Sequence, residues 1–216
     1  MPTLRSVFEY LLDALVPPRA RSARTKARTI VDIPLSPTEY TLLGERITTL
    51  MDYRQSEVGD LIRTLKYDGS SHAARLAAEV LAEYLREEIA SLKLFSTRPI
   101  FLIPIPLHKS RSRERGFNQV ALILNALPQE FRDGRIATLS PALVRTRATA
   151  PQTRLPRPER IKNVAGAFAL VDNTLIKRAH VFLIDDVTTT GATLVNAGKV
   201  LKASGASLSL LALARA

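Results

Sequence analysis

The stretch Val181-Phe182-Leu183-Ile184-Asp185-Asp186-Val187-Thr188-Thr189-Thr190-Gly191-Ala192-Thr193-Leu194 decides how the rest of the chain is read. Its first four residues are large and apolar without alternation. That pattern predicts a strand buried on both faces, as in the parallel sheets of α/β proteins. Asp185 and Asp186 follow at the carboxyl end of that strand, which is where open α/β sheets bind ligands. Leu194, Val195, Ala197, Val200 and Leu201 then recur at helical spacing, so the Thr-rich turn lies at a helix N-terminus. Free backbone N–H groups and the positive end of the helix dipole suit such a turn to phosphate. Thr188, Thr189, Thr190 and Thr193 add hydroxyls, Ala192 is small, and Gly191 lets the backbone approach closely.

Two adjacent carboxylates would repel a bare phosphate, so they call for a hydroxylated ligand or a hard cation. A phosphorylated sugar carrying Mg²⁺ satisfies both halves of the motif. A Walker loop is excluded by the missing Gly-Lys-Ser/Thr and a dinucleotide fingerprint by the missing glycine triplet. A haloacid-dehalogenase reading needs a second acid two residues after Asp186, where Thr188 stands. The plain alternative is a strand–turn–helix with threonine caps and two solvated acids, and the residues alone leave it open.

The 216 residues carry 31 Lys and Arg against 20 Asp and Glu, a formal charge of +11. That excess suggests an anionic partner, either phosphorylated small molecules or nucleic acid. With no cysteine, structural disulfides and Cys-ligated zinc are excluded. No apolar run approaches the ~20 residues of a membrane span, and Glu9 and Asp13 interrupt what would be a signal-peptide core. A soluble cytoplasmic protein is the default expectation.

Residues 4 to 16 are expected to form an amphipathic helix that Pro17 and Pro18 end. Residues 19 to 28 hold five basic side chains and no aromatics. They read as a solvated linker in preference to a nucleic-acid arm. Residues 29 to 55 are mixed, with weak periodicity. Residues 1 to 55 are therefore set apart from a domain covering 56 to 216.

From Ser56, Val58, Leu61, Ile62 and Leu65 form a helical face that stops at Lys66-Tyr67-Asp68-Gly69. A long helix is predicted over 72 to 92, with His72 a surface or capping residue. Ile100 to Ile105 reads as a second buried strand. It delivers a basic loop containing His108, Lys109, Arg111, Arg113 and Arg115, and a helix is expected from Phe117 to about Leu127. Four cations between a strand and a helix would form a second anion site suited to pyrophosphate; the same charges could decorate a plain surface loop. A strand is expected over Leu139 to Val144. The polar, Pro-rich segment from Arg145 to Val164, with Arg154 and Arg160 inside it, reads as a lid or binding loop. Phe168 to Val171 resumes order, and Leu208 to Leu213 supplies a last strand.

The apolar strand, acid pair and Thr/Gly loop resemble the phosphoribosyl-pyrophosphate (PRPP) motif of type I phosphoribosyltransferases. Ile103-Pro104-Ile105-Pro106-Leu107 followed by Arg113-Glu114-Arg115-Gly116-Phe117-Asn118-Gln119 narrows the likeness to the ComF family of competence-associated proteins. Leu143 to Arg147, Pro151-Gln152, Glu159-Arg160, Asn163-Val164, Ala167-Phe168 and the Lys66 to Gly69 turn fit it as well, as do Leu11 to Asp13 and Pro17 to Arg19. The resemblance implies an α/β phosphoribosyltransferase-like fold, a mainly parallel sheet flanked by helices after a helical N-terminal region.

The resemblance also implies roles. Asp185 and Asp186 would contact the ribose hydroxyls, and Thr189 to Thr193 would wrap the 5′-phosphate. Residues 106 to 116 would hold pyrophosphate through His108, Lys109, Arg111, Arg113 and Arg115. The loop 145 to 164 would close with Arg145, Arg154 and Arg160. Mg²⁺ would enter mainly on PRPP, without a dedicated protein metal site. Partners implied are PRPP or a related phosphorylated ribose, single-stranded DNA and competence proteins; the acceptor and the oligomeric state stay open. In purine-salvage relatives the third residue after the acid pair is a carboxylate that handles the N7 proton, and here it is Thr189, a hydroxyl far too weak to be that base. Many members also carry a Cys-rich zinc module after Pro-Pro-Arg, where this chain has Ala20 and a basic stretch.

Overall fold

The computed structural model describes residues 20–107, 116–147, 166–171 and 176–216. A six-stranded sheet forms its centre. The strands are β1 (Thr38–Leu42), β2 (Glu45–Asp52), β3 (Ile100–Pro104), β4 (Thr138–Leu139), β7 (His180–Thr188) and β8 (Ser207–Arg215). Their order is β1-β2-β8-β7-β3-β4, and every pairing is parallel except the β1/β2 hairpin. A separate ribbon pairs β5 (Leu143–Arg145) with β6 (Phe168–Leu170) antiparallel. The fold is therefore the α/β arrangement that the unbroken apolar runs predict.

Val181, Phe182, Leu183 and Ile184 are fully buried because β7 lies between β8 and β3 with packing on both faces. One face holds Phe182 and Ile184 against α2 (Ser56–Asp68), α3 (Ser71–Phe95) and α4 (Gln119–Asn125). The other holds Val181 and Leu183 against α6 (Ala192–Ala203) and the β5/β6 ribbon. The short α5 (Gln129–Arg132) lies beside β4 and buries Phe131. Ser70 caps α3 by accepting from the Ala73 N–H, and Gly69 ends α2 in the left-handed region at φ 59°.

Four expectations change. Residues 19 to 28 are not a solvated linker where they are described: Ala20–Lys26 is α1, packed on α2. Its cations are paired, Arg21 with Asp68 at 2.9 Å and Arg24 with Asp60 at 2.8 Å. The segment 29 to 55 holds β1 and β2, and β2 pairs with β8, so the sheet begins before residue 56 and the expected division at that point cuts through it. The strand expected over Leu139 to Val144 is two strands, β4 in the main sheet and β5 in the ribbon. The helix expected from Phe117 starts at Gln119, because the Asn118 side chain accepts from the Val120 and Ala121 N–H groups and sets the cap there. The expected helix at 4 to 16 lies outside the described residues.

Candidate functional site

The chain leaves β3 and passes through α4 to β4 on one side, and it leaves β7 and passes through α6 to β8 on the other. The adjacent carboxyl ends of β3 and β7 are thus a topological switch point, the crevice where open α/β sheets take ligands. Pro104 stands opposite Ile184 in register, and the Ile105 N–H donates to the Ile184 carbonyl at 2.8 Å. Immediately beyond this point β3 releases the segment that begins at Pro106, while β7 presents Asp185 and Asp186.

Both acids are half-buried on the last part of β7. Each turns one oxygen back on the chain: the Asp186 N–H donates to Asp185 Oδ1 at 2.9 Å, and the Val187 N–H donates to Asp186 Oδ1 at 2.8 Å. Burial pushes the Asp185 carboxyl well above the usual carboxylate range, and the charge of Asp186 pushes it further. The Arg145 cation works in the opposite sense and more weakly. Arg145 ends β5 opposite Phe168, and its guanidinium lies 5.3 Å from the centroid of that ring. The Thr146 N–H donates to the Ala167 carbonyl at 2.9 Å, so the two ends of the long loop are pinned together beside Asp185.

The turn follows at once. Thr188 is 5% exposed and its Oγ1 lies 3.1 Å from Tyr40 Oη, so this hydroxyl faces β1 instead of standing free at the turn. Thr189, Thr190 and Thr193 are half-buried, and Ala192 is buried. Gly191 takes φ 86° and opens α6, where the Ala192 N–H donates to Thr190 Oγ1 at 3.4 Å. A Cβ there would come within 2.1 Å of Ile47 Cδ1, so glycine is required both by its dihedral and by space. The helix N-terminus therefore sits directly after the acid pair, as the spacing predicts.

His108, Lys109, Arg111, Arg113 and Arg115, with Arg154 and Arg160, lie outside the described residues. What is described around them is anchored. The Asn118 amide donates to the Ile105 carbonyl at 2.9 Å, and Gly69 sits so close to Phe117 that a Cβ would lie 2.9 Å from its ring. Lys66 to Asp68 close α2 where a turn was expected, and the helix end at Gly69 packs on Phe117. His72 is half-buried, with its Nε2 3.2 Å from the Arg28 carbonyl.

Sequence reasoning missed Tyr40 and Arg215. The Arg215 guanidinium lies 4.0 Å from the Tyr40 ring centroid, and Arg215 stands opposite Thr188 in register. The alternation in Thr38 to Leu42 ahead of Leu43-Gly44 was the available sign of a hairpin there.

Mg²⁺ usually keeps several waters and binds through one or two carboxylates plus ligand phosphates. Asp185 and Asp186 fit that donor set, and among the described residues no cluster of three or more acidic or His side chains offers more. No helix among the described residues is long and apolar enough to cross a membrane.

By fold and site this is an α/β protein that presents an acid pair and a helix N-terminus at a topological switch point. The chain belongs to the ComF family. The DNA utilization protein YhgH of Shigella flexneri is 33% identical over 165 residues, 76% of this chain and 68% of that protein. Competence protein ComFC of Streptococcus pneumoniae is 30% identical over 164 residues, 76% and 65% of the two chains. Competence protein F of Haemophilus influenzae is 32% identical over 148 residues, 67% and 62%. No protein-family model matches. Among solved structures, a hypoxanthine phosphoribosyltransferase from Staphylococcus aureus aligns with TM-score 0.37 and 13% identity over 68% of this chain and 65% of that one. An orotate phosphoribosyltransferase from Mycobacterium tuberculosis aligns with TM-score 0.35 and 12% identity over 88% and 81%. At these scores the likeness decides nothing about ligand or reaction.

Proposed function

We propose that the crevice binds PRPP with Mg²⁺, in a protein that serves DNA uptake or utilization. The observation that carries this reading is the placement of half-buried Asp185 and Asp186 side by side at the end of β7, one turn ahead of a helix N-terminus. Like charges held together in a partly buried place need a cation or hydroxyl donors to offset them, and a phosphate needs the turn. A phosphorylated ribose carrying Mg²⁺ offers all three at once.

Asp185 and Asp186 would hold the ribose hydroxyls and the metal, whose chemistry is to offset charge on the departing pyrophosphate. The turn from Thr189 to Thr193 would hold the 5′-phosphate, and the basic residues 108 to 115 the pyrophosphate. Arg145 at the base of the long loop, with Arg154 and Arg160, would close over the site. In phosphoribosyl transfer the bond from ribose C1 to pyrophosphate breaks, the leaving group keeps the electron pair, and an acceptor atom bonds to C1 and gives up a proton. Catalysis of that step is mostly positioning and charge neutralisation. The acceptor is not a purine handled through N7, since Thr189 stands where that carboxylate would be.

A non-catalytic PRPP sensor would share this site and differ only in turnover, and the net charge of +11 favours contact with single-stranded DNA in either case. Incubation with PRPP, Mg²⁺ and each purine base tests the account of Thr189, and the same assay with other acceptors separates enzyme from sensor. The expected result is no nucleotide by chromatography. Hypoxanthine or guanine turnover that disappears in Asp185→Asn would show that the account of Thr189 is wrong, and pyrophosphate release with another acceptor would favour the enzyme over the sensor.

A further inference from the structure

β3 and β8 flank β7 on opposite sides, so the ligand end served by β8 is not the end served by the loop after β3. Arg215 is the last residue of β8 and stands opposite Thr188. Its guanidinium carbon lies 4.0 Å from the centroid of the Tyr40 ring, and Tyr40 Oη lies 3.1 Å from Thr188 Oγ1. The same Oη lies 3.1 Å from where a Cβ on Gly191 would stand. Cation, ring, hydroxyl and turn therefore follow one another without a gap.

Stacking engages the flat face of a guanidinium and leaves its N–H donors in the plane for an anion, with the side chain already ordered. Arg21, Arg24 and Arg28 are spent on Asp68 and Asp60, whereas Arg215 has no ion pair among the described residues. Tyr40 remains a neutral phenol, since burial raises its pKa while the Thr188 hydrogen bond and the Arg215 charge offset that in part. It supplies a platform that does not repel phosphate.

We propose that Arg215, seated over the Tyr40 ring, is a binding residue for the monophosphate end of the ligand that occupies the 189–193 turn. The proposal rests on the reading of this crevice as a PRPP site and assigns the two ligand ends to opposite flanks of β7. Arg215 is exposed and makes no ion pair that the fold depends on, so its removal should act on binding more than on folding.

Calorimetry on the parent, Arg215→Gln, Arg215→Lys and Tyr40→Leu, with PRPP·Mg²⁺, ribose 5-phosphate and Mg²⁺-pyrophosphate as separate titrants, tests this. Arg215→Gln is expected to weaken PRPP and ribose 5-phosphate by about 10- to 100-fold, the range for losing a hydrogen bond to a charged group. Pyrophosphate affinity should stay at the parent value. Arg215→Lys should recover part of the loss, and Tyr40→Leu should weaken the same two ligands; thermal melting of the Arg215 variants should stay near the parent. Parent-like PRPP affinity in Arg215→Gln, or an equal loss for pyrophosphate, overturns the inference alone. A parent that binds no PRPP overturns the reading of the site and this inference with it.

Discussion

Asp60 and Asp185 are both carboxylates packed into the body of the protein, and their surroundings drive them in opposite directions. Asp60, 3% exposed on α2, receives a two-pronged contact from Arg24, Nε to Oδ2 at 2.8 Å and Nη2 to Oδ1 at 2.9 Å. Arg28 adds a contact at 3.3 Å and Arg63 one at 4.0 Å. The Arg24 hydrogen bonds hold its carboxyl below the usual range. Asp185 has burial and Asp186 against it, and its carboxyl is raised. The first cluster is complete in the protein itself and ties α1 to α2. The second sets two like charges side by side with only the weaker pull of Arg145 against them, which is why the proposal gives it to a ligand.

Removing the acid should expose this difference, and the largest effect belongs to Asp60. Asp60→Ala leaves Arg24 and Arg28 facing a void and should cost about 3 kcal/mol, the low end for breaking a buried pair because Arg24 is itself 57% exposed. Urea denaturation checks it. The pH sign follows from the lowered carboxyl: the stability that Asp60 contributes is fully present above the ordinary carboxylate pKa and is lost as pH falls through its lower folded value. A parent and an Asp60→Ala variant should therefore converge in acid. If they stay equally far apart there, the arginine cluster is not what stabilises α1.

Asp185→Asn should go the other way, with a smaller magnitude. Relief of the like-charge pair is expected to stabilise the protein by about 0.5–2 kcal/mol, the usual gain from charge optimisation. A raised carboxyl means that the folded state holds its proton longer than the unfolded state does. Parent stability should thus fall as pH rises from the ordinary carboxylate value through the raised one, and the Asn variant should lack that slope. Parent and variant melting curves across that window decide it; a variant less stable than the parent at neutral pH would mean that the pair is structural.

How much of this was legible in the sequence depends on how local the cause is. The β7 run, the acid pair and the turn are consecutive, so an unbroken apolar stretch followed by Asp185-Asp186 and Gly191 announced the strand, the helix start and the candidate site between them. α1 was misread because what orders it is remote: Asp60 lies 36 residues from Arg24 and Asp68 lies 47 from Arg21. A basic run looks solvated until its acids are known. β1 was hidden for another reason. It is an edge strand whose residues alternate between exposed and half-buried with none fully buried, so it has almost no apolar face to announce it. Tyr40 and Arg215 reach the turn only through the pairing of β1, β2, β8 and β7, which no short window contains.

The smallest expected effect concerns nucleic acid. Arg21 and Arg24 are already paired with acids, so Arg24→Ala should lower stability less than Asp60→Ala does and leave the salt slope of single-stranded DNA binding within about one unit of the parent. Fluorescence anisotropy against salt measures it. A larger fall in slope would return α1 to the role of a nucleic-acid arm.

The central claim is that the unbalanced pair at the end of β7 exists for PRPP with Mg²⁺. Isothermal calorimetry of the parent and of the Asp185→Asn, Asp186→Asn double variant, with PRPP in the presence and absence of Mg²⁺ and at several pH values, tests it most directly. The account predicts Mg²⁺-dependent binding by the parent that tightens as pH rises through the raised Asp185 value, and no measurable binding by a double variant that melts at or above the parent temperature. Equal PRPP affinity in the two proteins would contradict it.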